Sequence, residues 1–238
     1  MQPQTSPIAR IIATAKAIIT DPAGFFRGMP KGGGYADPIT FIVATSIASG
    51  LVALPLVLIG AVDRTPGGVL TFLGWMFVIS PIVTVIGSFL WSGVFYGLWR
   101  SLGSQESYET AFRCSAYMTA ITPIAIILNA LPYIGFLVTL GWGFGLTVIA
   151  SSEVHGIKRQ TARIAFGVVF GVFALISLGS QRAAQHAQVQ TEKLNETMQK
   201  IDEMSPEDAG KAVGEFMKGF KGAVDEKPAA GDTEQPAE

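Results

Sequence analysis

Long runs without a charged residue dominate the first three quarters of the chain. Residues 38–62, 65–99 and 114–152 contain no Asp, Glu, Lys or Arg, and neither does the shorter stretch 164–181. A helix rises about 1.5 Å per residue, so about 20 apolar residues cross a hydrocarbon core of about 30 Å. The first two runs each predict one membrane span, the third is long enough for two, and 164–181 fits a further one.

A turn signal divides the third run. Residues 129–135 read NALPYIG, and a proline and a glycine this close together favour a tight turn. This predicts one span over 115–130 and another over 134–151. The chain is therefore predicted to be an all-α polytopic membrane protein with five transmembrane helices.

The residues before the first span have a different pattern, typical of an amphipathic helix. Over residues 7–20 the isoleucines recur at helical spacing, while Arg10 and Lys16 lie on the opposite side. Asp21-Pro22 ends this helix, and Phe25-Phe26-Arg27 continues the apolar and basic character. Two placements remain open: the helix lies in the membrane interface, attracted by anionic lipid, or it packs on the end of the bundle. The residues predicted to contact the membrane surface or a partner are Ile12, Lys16, Phe25, Phe26 and Arg27.

The distribution of charged residues predicts the orientation of the spans in the membrane and the side on which the tail lies. Charged residues make up 15% of the chain, against about a quarter in soluble proteins, and the mean hydropathy is +0.42. Basic residues concentrate before the first span and in the loops after the second and fourth spans, which predicts that these regions and the N-terminus are cytoplasmic. With five spans, the tail is then on the outer side.

The tail is acidic and polar. Residues 180–238 hold seven Lys and Arg against twelve Asp and Glu, whereas residues 1–179 hold ten against six. Residues 181–204 have helix-forming composition, 205–208 resemble a helix start, and the end is predicted to be disordered. The predicted organisation is a cytoplasmic amphipathic segment at 1–37, a five-span membrane domain at 38–180 and a partly helical tail at 181–238.

Candidate chemistry is sparse. His155 and His186 have no second ligand at metal-binding spacing and are predicted to be surface residues. There is no glycine-rich phosphate loop and no nucleophile–base pair, and a basic nucleic-acid footprint is absent. The sequence predicts no enzyme activity, no cofactor, no metal and no nucleic-acid partner, so the lipid bilayer is the predicted partner.

Prolines and glycines inside the predicted spans are the remaining features. Pro55, Pro81 and Pro123 each interrupt one span, either as packing kinks or as breaks at a solute site. Pairs of glycines four apart let helix backbones approach closely, either within the chain or between two copies. The predicted helix-packing glycines are Gly93, Gly97, Gly141, Gly145, Gly167 and Gly171.

The order of several motifs resembles bacterial members of the Yip-domain family. The segment ITDPAGFFRGM is followed by GGGYADPITF, then by LGSQESYETAFRCSAYMTAITPI, and later by SEVHGIKR after a glycine-rich fourth span. The central join is similar to the family pattern at Gly103, Ser107, Arg113, Tyr117 and Pro123. The resemblance covers about residues 8–177, not the tail, and implies five spans and a bacterial inner-membrane location.

The resemblance also bears on function. Eukaryotic relatives in this family are non-enzymatic membrane proteins tied to vesicle traffic, small-GTPase partners and membrane shaping. Together with the amphipathic segment, this favours a protein that organises or shapes membrane or scaffolds partners, with protein or self-association through helix faces or the tail. The alternative is a transporter or channel for a small neutral or apolar solute, suggested by the prolines in the spans.

Overall fold

The computed structural model describes residues 6–59, 68–131, 133–202 and 214, and no strand occurs among them. The chain divides into two units, residues 1–178 and 179–238. The predicted helix start at 205–208 and the predicted disordered end lie outside the described residues. The helices are α1 Pro7–Thr20, α2 Pro22–Gly28, α3 Ala36–Leu58, α4 Gly68–Gly74, α5 Ser80–Ser101, α6 Tyr108–Met118, α7 Thr122–Asn129, α8 Ile134–Glu153 and α9 Arg159–Asp202.

Five helical stretches of the described chain are long and apolar enough to cross a membrane, which confirms the predicted all-α, five-span architecture. They are Ala36–Leu58, Gly68–Ser101, Tyr108–Asn129, Ile134–Glu153 and Arg159–Lys193.

The helical stretch that contains the third predicted span is longer than that span. It begins at Tyr108, before Ser115, and includes Glu109 and Arg113, whose side chains form an ion pair. The predicted division of the third run into two helices is confirmed, because α7 ends at Asn129 and α8 begins at Ile134.

Helix α3 forms the centre of the first unit, packing against α5, α6 and α7, while α8 packs against α7 and α2. Part of this core is a cluster in which Ile42 of α3 is buried with Phe112 and Ala116 of α6. Helix α9 contacts its neighbours through aromatic rings. The ring pairs are Phe166 with Phe95, Phe170 with Phe144, and Phe173 with Trp91.

Two of the three prolines follow a change in helical hydrogen bonding. A π-helical turn at Trp75–Ile79 precedes Pro81, and a 3₁₀ turn at Thr119–Ile121 precedes Pro123. Proline has no N–H, and its ring crowds the carbonyl four residues earlier, so the preceding turn widens or tightens. Helix α3 continues through Pro55.

The predicted helix-packing glycines have open surroundings. A Cβ at Gly93, Gly97, Gly141, Gly145 or Gly171 would meet no atom within 4 Å in the described chain, and one at Gly167 would just reach Phe144 at 4.0 Å. Contact of these faces with a second copy therefore stays a prediction.

The close approaches within the chain occur at other glycines. At Gly50 a Cβ would lie 2.7 Å from Met76 Cγ of the π-helical turn, and at Gly135 it would overlap the carbonyl of Leu128.

Candidate functional site

Asp21 and Pro22 lie where α1 ends and α2 begins. Asp21 ends α1, and its carboxylate accepts a hydrogen bond from Gly24 N–H at 2.9 Å, which caps the start of α2. Pro22 occupies the first turn of α2, where a missing N–H costs nothing. The prediction that Asp21-Pro22 ends the amphipathic helix is confirmed.

One face of this N-terminal segment packs on the bundle. Ile18 of α1 and Phe26 of α2 are 0% and 1% exposed, and Met29 is also buried. The Phe25 ring meets the Tyr117 ring edge to face, with centroids 5.1 Å apart. Side chains with so little exposed surface cannot lie in lipid, so Phe26 contacts the protein itself.

The other face of α1 is open. Ile8 and Ile12 are 70% and 62% exposed, and Lys16, one helical turn after Ile12, is also exposed. The two placements left open by the sequence are therefore not exclusive, because α1 packs on the bundle through one side and leaves an apolar and basic side uncovered. Membrane or partner contact through Ile12 and Lys16 stays a prediction.

Arg113 holds the glycine-rich turn that follows α2. Its Nη2 donates to Gly34 O at 2.7 Å, and its Nε lies 3.4 Å from Glu109 Oε1. The same carboxylate oxygen accepts from Gly34 N–H at 2.7 Å, so both peptide groups of Gly34 are bound by one ion pair. Gly33 and Gly34 have φ of 113° and 82°, a region that favours glycine. This backbone conformation explains the glycines at positions 33 and 34.

Further ion pairs link the segment to both loops at this end of the bundle. Lys31 Nζ lies 2.6 Å from Glu106 Oε1, and its carbonyl accepts from Thr110 Oγ1 at 2.9 Å. Arg27 binds Glu153 at 2.9 Å, although both arginine and lysine side chains remain about half exposed or more. We call these contacts, with those of Arg113 and Gly34, the junction.

A buried polar cluster lies next to the junction. The His155 ring stacks on Trp99 with centroids 3.9 Å apart, and its Nδ1 lies 2.8 Å from Ser104 Oγ. Trp99 Nε1 donates to Ser151 Oγ at 2.8 Å, and Cys114 Sγ lies 3.9 Å from His155 Nε2. His155 is only 7% exposed, so its predicted surface position was wrong.

The serine–histidine contact in this cluster has the atoms of a nucleophile and a base but not their surroundings. Ser104 is 2% exposed, and its Oγ accepts the Glu106 N–H at 3.2 Å. No carboxylate is bonded to the imidazole, and in the described part of the chain no three His, Cys, Asp or Glu residues could hold a metal ion. The cluster joins the two loops and aligns the start of α6.

Lowering the pH is expected to destabilise the protein through His155. Burial lowers the pKa of His155 from 6.5 to about 4, with Glu106 opposing and Lys31 reinforcing the shift. The unfolded imidazole takes up a proton near pH 6.5 while the folded one stays neutral, so stability is complete above that pH and falls as the pH drops towards 4. The loss is about 3 kcal/mol.

Unfolding in detergent across this pH range checks the expectation, with His155→Asn as the comparison. Asn offers an acceptor near the Nδ1 position without titrating, so the pH slope should shrink while the contributions of other groups cancel. Parallel curves for the two proteins would exclude His155 as the source.

A family profile for the Yip1 domain matches residues 16–180. The chain belongs to the Yip1 domain family. No curated protein and no solved structure matches it. The Yip1 match begins at Lys16, so it includes α2, the junction and most of the membrane-spanning helices. Ile8 and Ile12 of α1 lie before the matched residues.

Two features of this Yip1 chain were missed by sequence reasoning. The pair Glu109 and Arg113 has i, i+4 spacing at the start of an apolar helix, which is a signal for a local ion pair. Neither this spacing nor the GGG motif indicates that the ion pair binds the glycine-rich turn. His155 carried no local signal, because its partners are 51 and 41 residues away in Ser104 and Cys114.

Proposed function

We propose that this Yip1-family protein is a non-catalytic integral membrane protein that organises and shapes the membrane through α1. The observation that carries the proposal is that α1 packs on the bundle through one side and leaves another side exposed. Ile18 anchors one side in the bundle, while Ile8 and Ile12 stay exposed, with the exposed Lys16 one helical turn after Ile12. Such a helix lies in the membrane interface, where basic residues meet anionic headgroups.

The anchoring of α1 to the bundle favours insertion of its exposed apolar side chains into lipid. A free amphipathic helix must order itself when it binds lipid, whereas α1 is already folded and fixed by the bundle, so less entropy is lost. Apolar side chains inserted into one leaflet expand that leaflet relative to the other. The basic loops support a cytoplasmic N-terminus and an outer tail in a bacterial inner membrane. Partner scaffolding through the same face or the tail is the second part of this proposal.

Replacing Ile8 and Ile12 together with serine is expected to abolish membrane deformation by the reconstituted protein. The double change removes about 2–4 kcal/mol of the free energy gained by burying apolar surface in lipid. Ile18 still anchors the helix. Vesicle shape and size, measured by electron microscopy in liposomes with anionic lipid, report the effect. The matched control is Ala9→Ser with Ala13→Ser, because both alanines are exposed on α1 and contribute little apolar surface.

A fluorescent probe at position 12 separates lipid insertion from partner binding. In proteoliposomes, a polarity-sensitive dye on Ile12→Cys should report an apolar environment and be quenched by lipid-borne quenchers, whereas the dye on Lys16→Cys should not. Deformation that survives Ile8→Ser/Ile12→Ser, together with a water-exposed dye at position 12, would overturn the membrane-shaping role.

A transporter for a small neutral or apolar solute is the second candidate. The observation that favours it is a cavity of about 310 Å³ bounded by α5, α6, α8 and α9. Saturable solute flux in proteoliposomes that is lost in Pro55→Ala or Pro123→Ala would favour transport over membrane shaping.

A further inference from the structure

The cavity lies inside the membrane-spanning part of the protein. Helices α5, α6, α8 and α9 each contribute side chains to it, and its volume is about 310 Å³. Phe170 of α9 reaches across this region to Phe144 of α8, with ring centroids 5.7 Å apart. Ligand pockets begin at about 300 Å³, so the space suits one narrow ligand and not a whole lipid.

The cavity adjoins exposed aromatic rings on two of the membrane-spanning helices. Trp91 and Phe173 line it and are 48% and 41% exposed on the outer surface of α5 and α9. Both helices are membrane spans, so the medium that touches these rings is the acyl region of the bilayer. Lipid chains are therefore the molecules present at the highest concentration beside the cavity.

Each serine and threonine hydroxyl among the described lining residues already donates to a backbone carbonyl. Ser88 donates to Thr84 O at 2.7 Å, Ser115 to Ala111 O at 3.2 Å, and the hydroxyls of Thr119 and Thr147 also donate to backbone carbonyls of nearby residues. Among the described residues, no charged side chain lines the cavity. A polar solute would lose its hydration here and regain few hydrogen bonds, whereas an acyl chain loses none.

We propose that this cavity binds one acyl chain of a bilayer phospholipid. The chain enters from the surrounding leaflet beside Trp91 and Phe173 and packs against Gly143 and Phe170, filling space that the aromatic contacts of α9 leave open. The headgroup of the same lipid stays outside the cavity. The proposal does not depend on membrane shaping by α1, because the two use different surfaces and different substitutions.

A pair of glycines on α8 provides the test. Gly143 lines the cavity, and a Cβ there would meet only Phe170 at 3.6 Å, so Gly143→Leu fills the space without a backbone clash. Gly141 lies two residues away, and a Cβ there would meet no atom within 4 Å, so Gly141→Leu is the matched control. Lipid retained after purification in detergent is measured by native mass spectrometry and phosphate analysis.

Wild type and Gly141→Leu should retain about one phospholipid per chain, and Gly143→Leu should bind it at least about tenfold more weakly. Equal retention in all three proteins would overturn the proposal. Thermal unfolding of each variant shows that the comparison is between folded proteins.

A labelling experiment on the unaltered protein provides a second, independent readout. A phosphatidylcholine with a photoreactive group at the end of one acyl chain should label the peptides containing Met118 and Phe170. The same lipid with the reactive group on its headgroup should not label them. Labelling restricted to outward residues such as Leu90 would mean ordinary annular lipid, and labelling by a free fatty acid probe alone would mean that a phospholipid is not the occupant.

Discussion

Replacing Arg113 with methionine is expected to destabilise the protein by about 3 kcal/mol and to release the glycine-rich turn from α6. The side chain is almost fully buried, and its guanidinium binds Gly34 O and Glu109. Methionine keeps much of the length but cannot donate, so Gly34 O loses its partner and Glu109 loses its counter-charge. Each loss carries a desolvation cost that methionine does not offset.

Two measurements check this expectation. Thermal unfolding in detergent gives the stability change, and limited trypsin digestion at Arg27 and Lys31 reports release of the segment, since a docked chain is cleaved slowly. The matched control is Arg159→Met, whose side chain also binds a carboxylate, that of Glu153, but is 53% exposed. An exposed pair contributes up to about 1 kcal/mol, so the control should be close to wild type. Equal effects in both variants would contradict the role assigned to Arg113.

Replacing Gly135 with alanine is expected to be the most damaging single-methyl change in the bundle. Gly135 N–H donates to Leu131 O at 3.0 Å at the start of α8, where the chain turns back from α7. An alanine Cβ would overlap the carbonyl of Leu128, which belongs to the backbone of α7 and cannot rotate away. The turn must open, at a cost above about 4 kcal/mol.

The control substitution is expected to leave stability unchanged or to raise it, whereas Gly135→Ala lowers it. Gly141 lies on the same helix with open space around it, and glycine in a helix is about 1 kcal/mol less favourable than alanine. Gly141→Ala should therefore be neutral or slightly stabilising, whereas Gly135→Ala should lower the unfolding temperature strongly. Similar thermal stabilities would mean that the α7–α8 turn tolerates a Cβ.

Local patterns determined the secondary structure well. Hydrophobic runs, the Asp21-Pro22 helix break and the NALPYIG turn depend on neighbouring residues, so the sequence predicted five spans and the split between α7 and α8. The charge count placed the third span at 115–130 and did not indicate that its helix starts at Tyr108 and includes Arg113. An arginine whose donors are bound by Gly34 O and Glu109 no longer interrupts an apolar helix.

Glycine patterns were a weaker guide. Spacing indicated Gly93, Gly97, Gly141, Gly145, Gly167 and Gly171, which share a helix face with a second glycine. Close approach within the chain depends on where a neighbouring backbone or side chain passes, and among the membrane-spanning helices it occurs at Gly50 beside Met76 and at Gly135 beside Leu128. Neither glycine belongs to a spaced pair in the predicted set.

The sequence by itself determined the membrane class, the helix-breaking residues and the amphipathic character of α1, because these depend on residues within one or two turns of each other. Only the tertiary structure decided which face of α1 is covered, that His155 is buried against Trp99, and that a cavity lies beside Gly143. Arg27 meets Glu153 across 126 residues of chain and Lys31 meets Glu106 across 75. Such pairs form only when the helices assemble, so no local pattern encodes them.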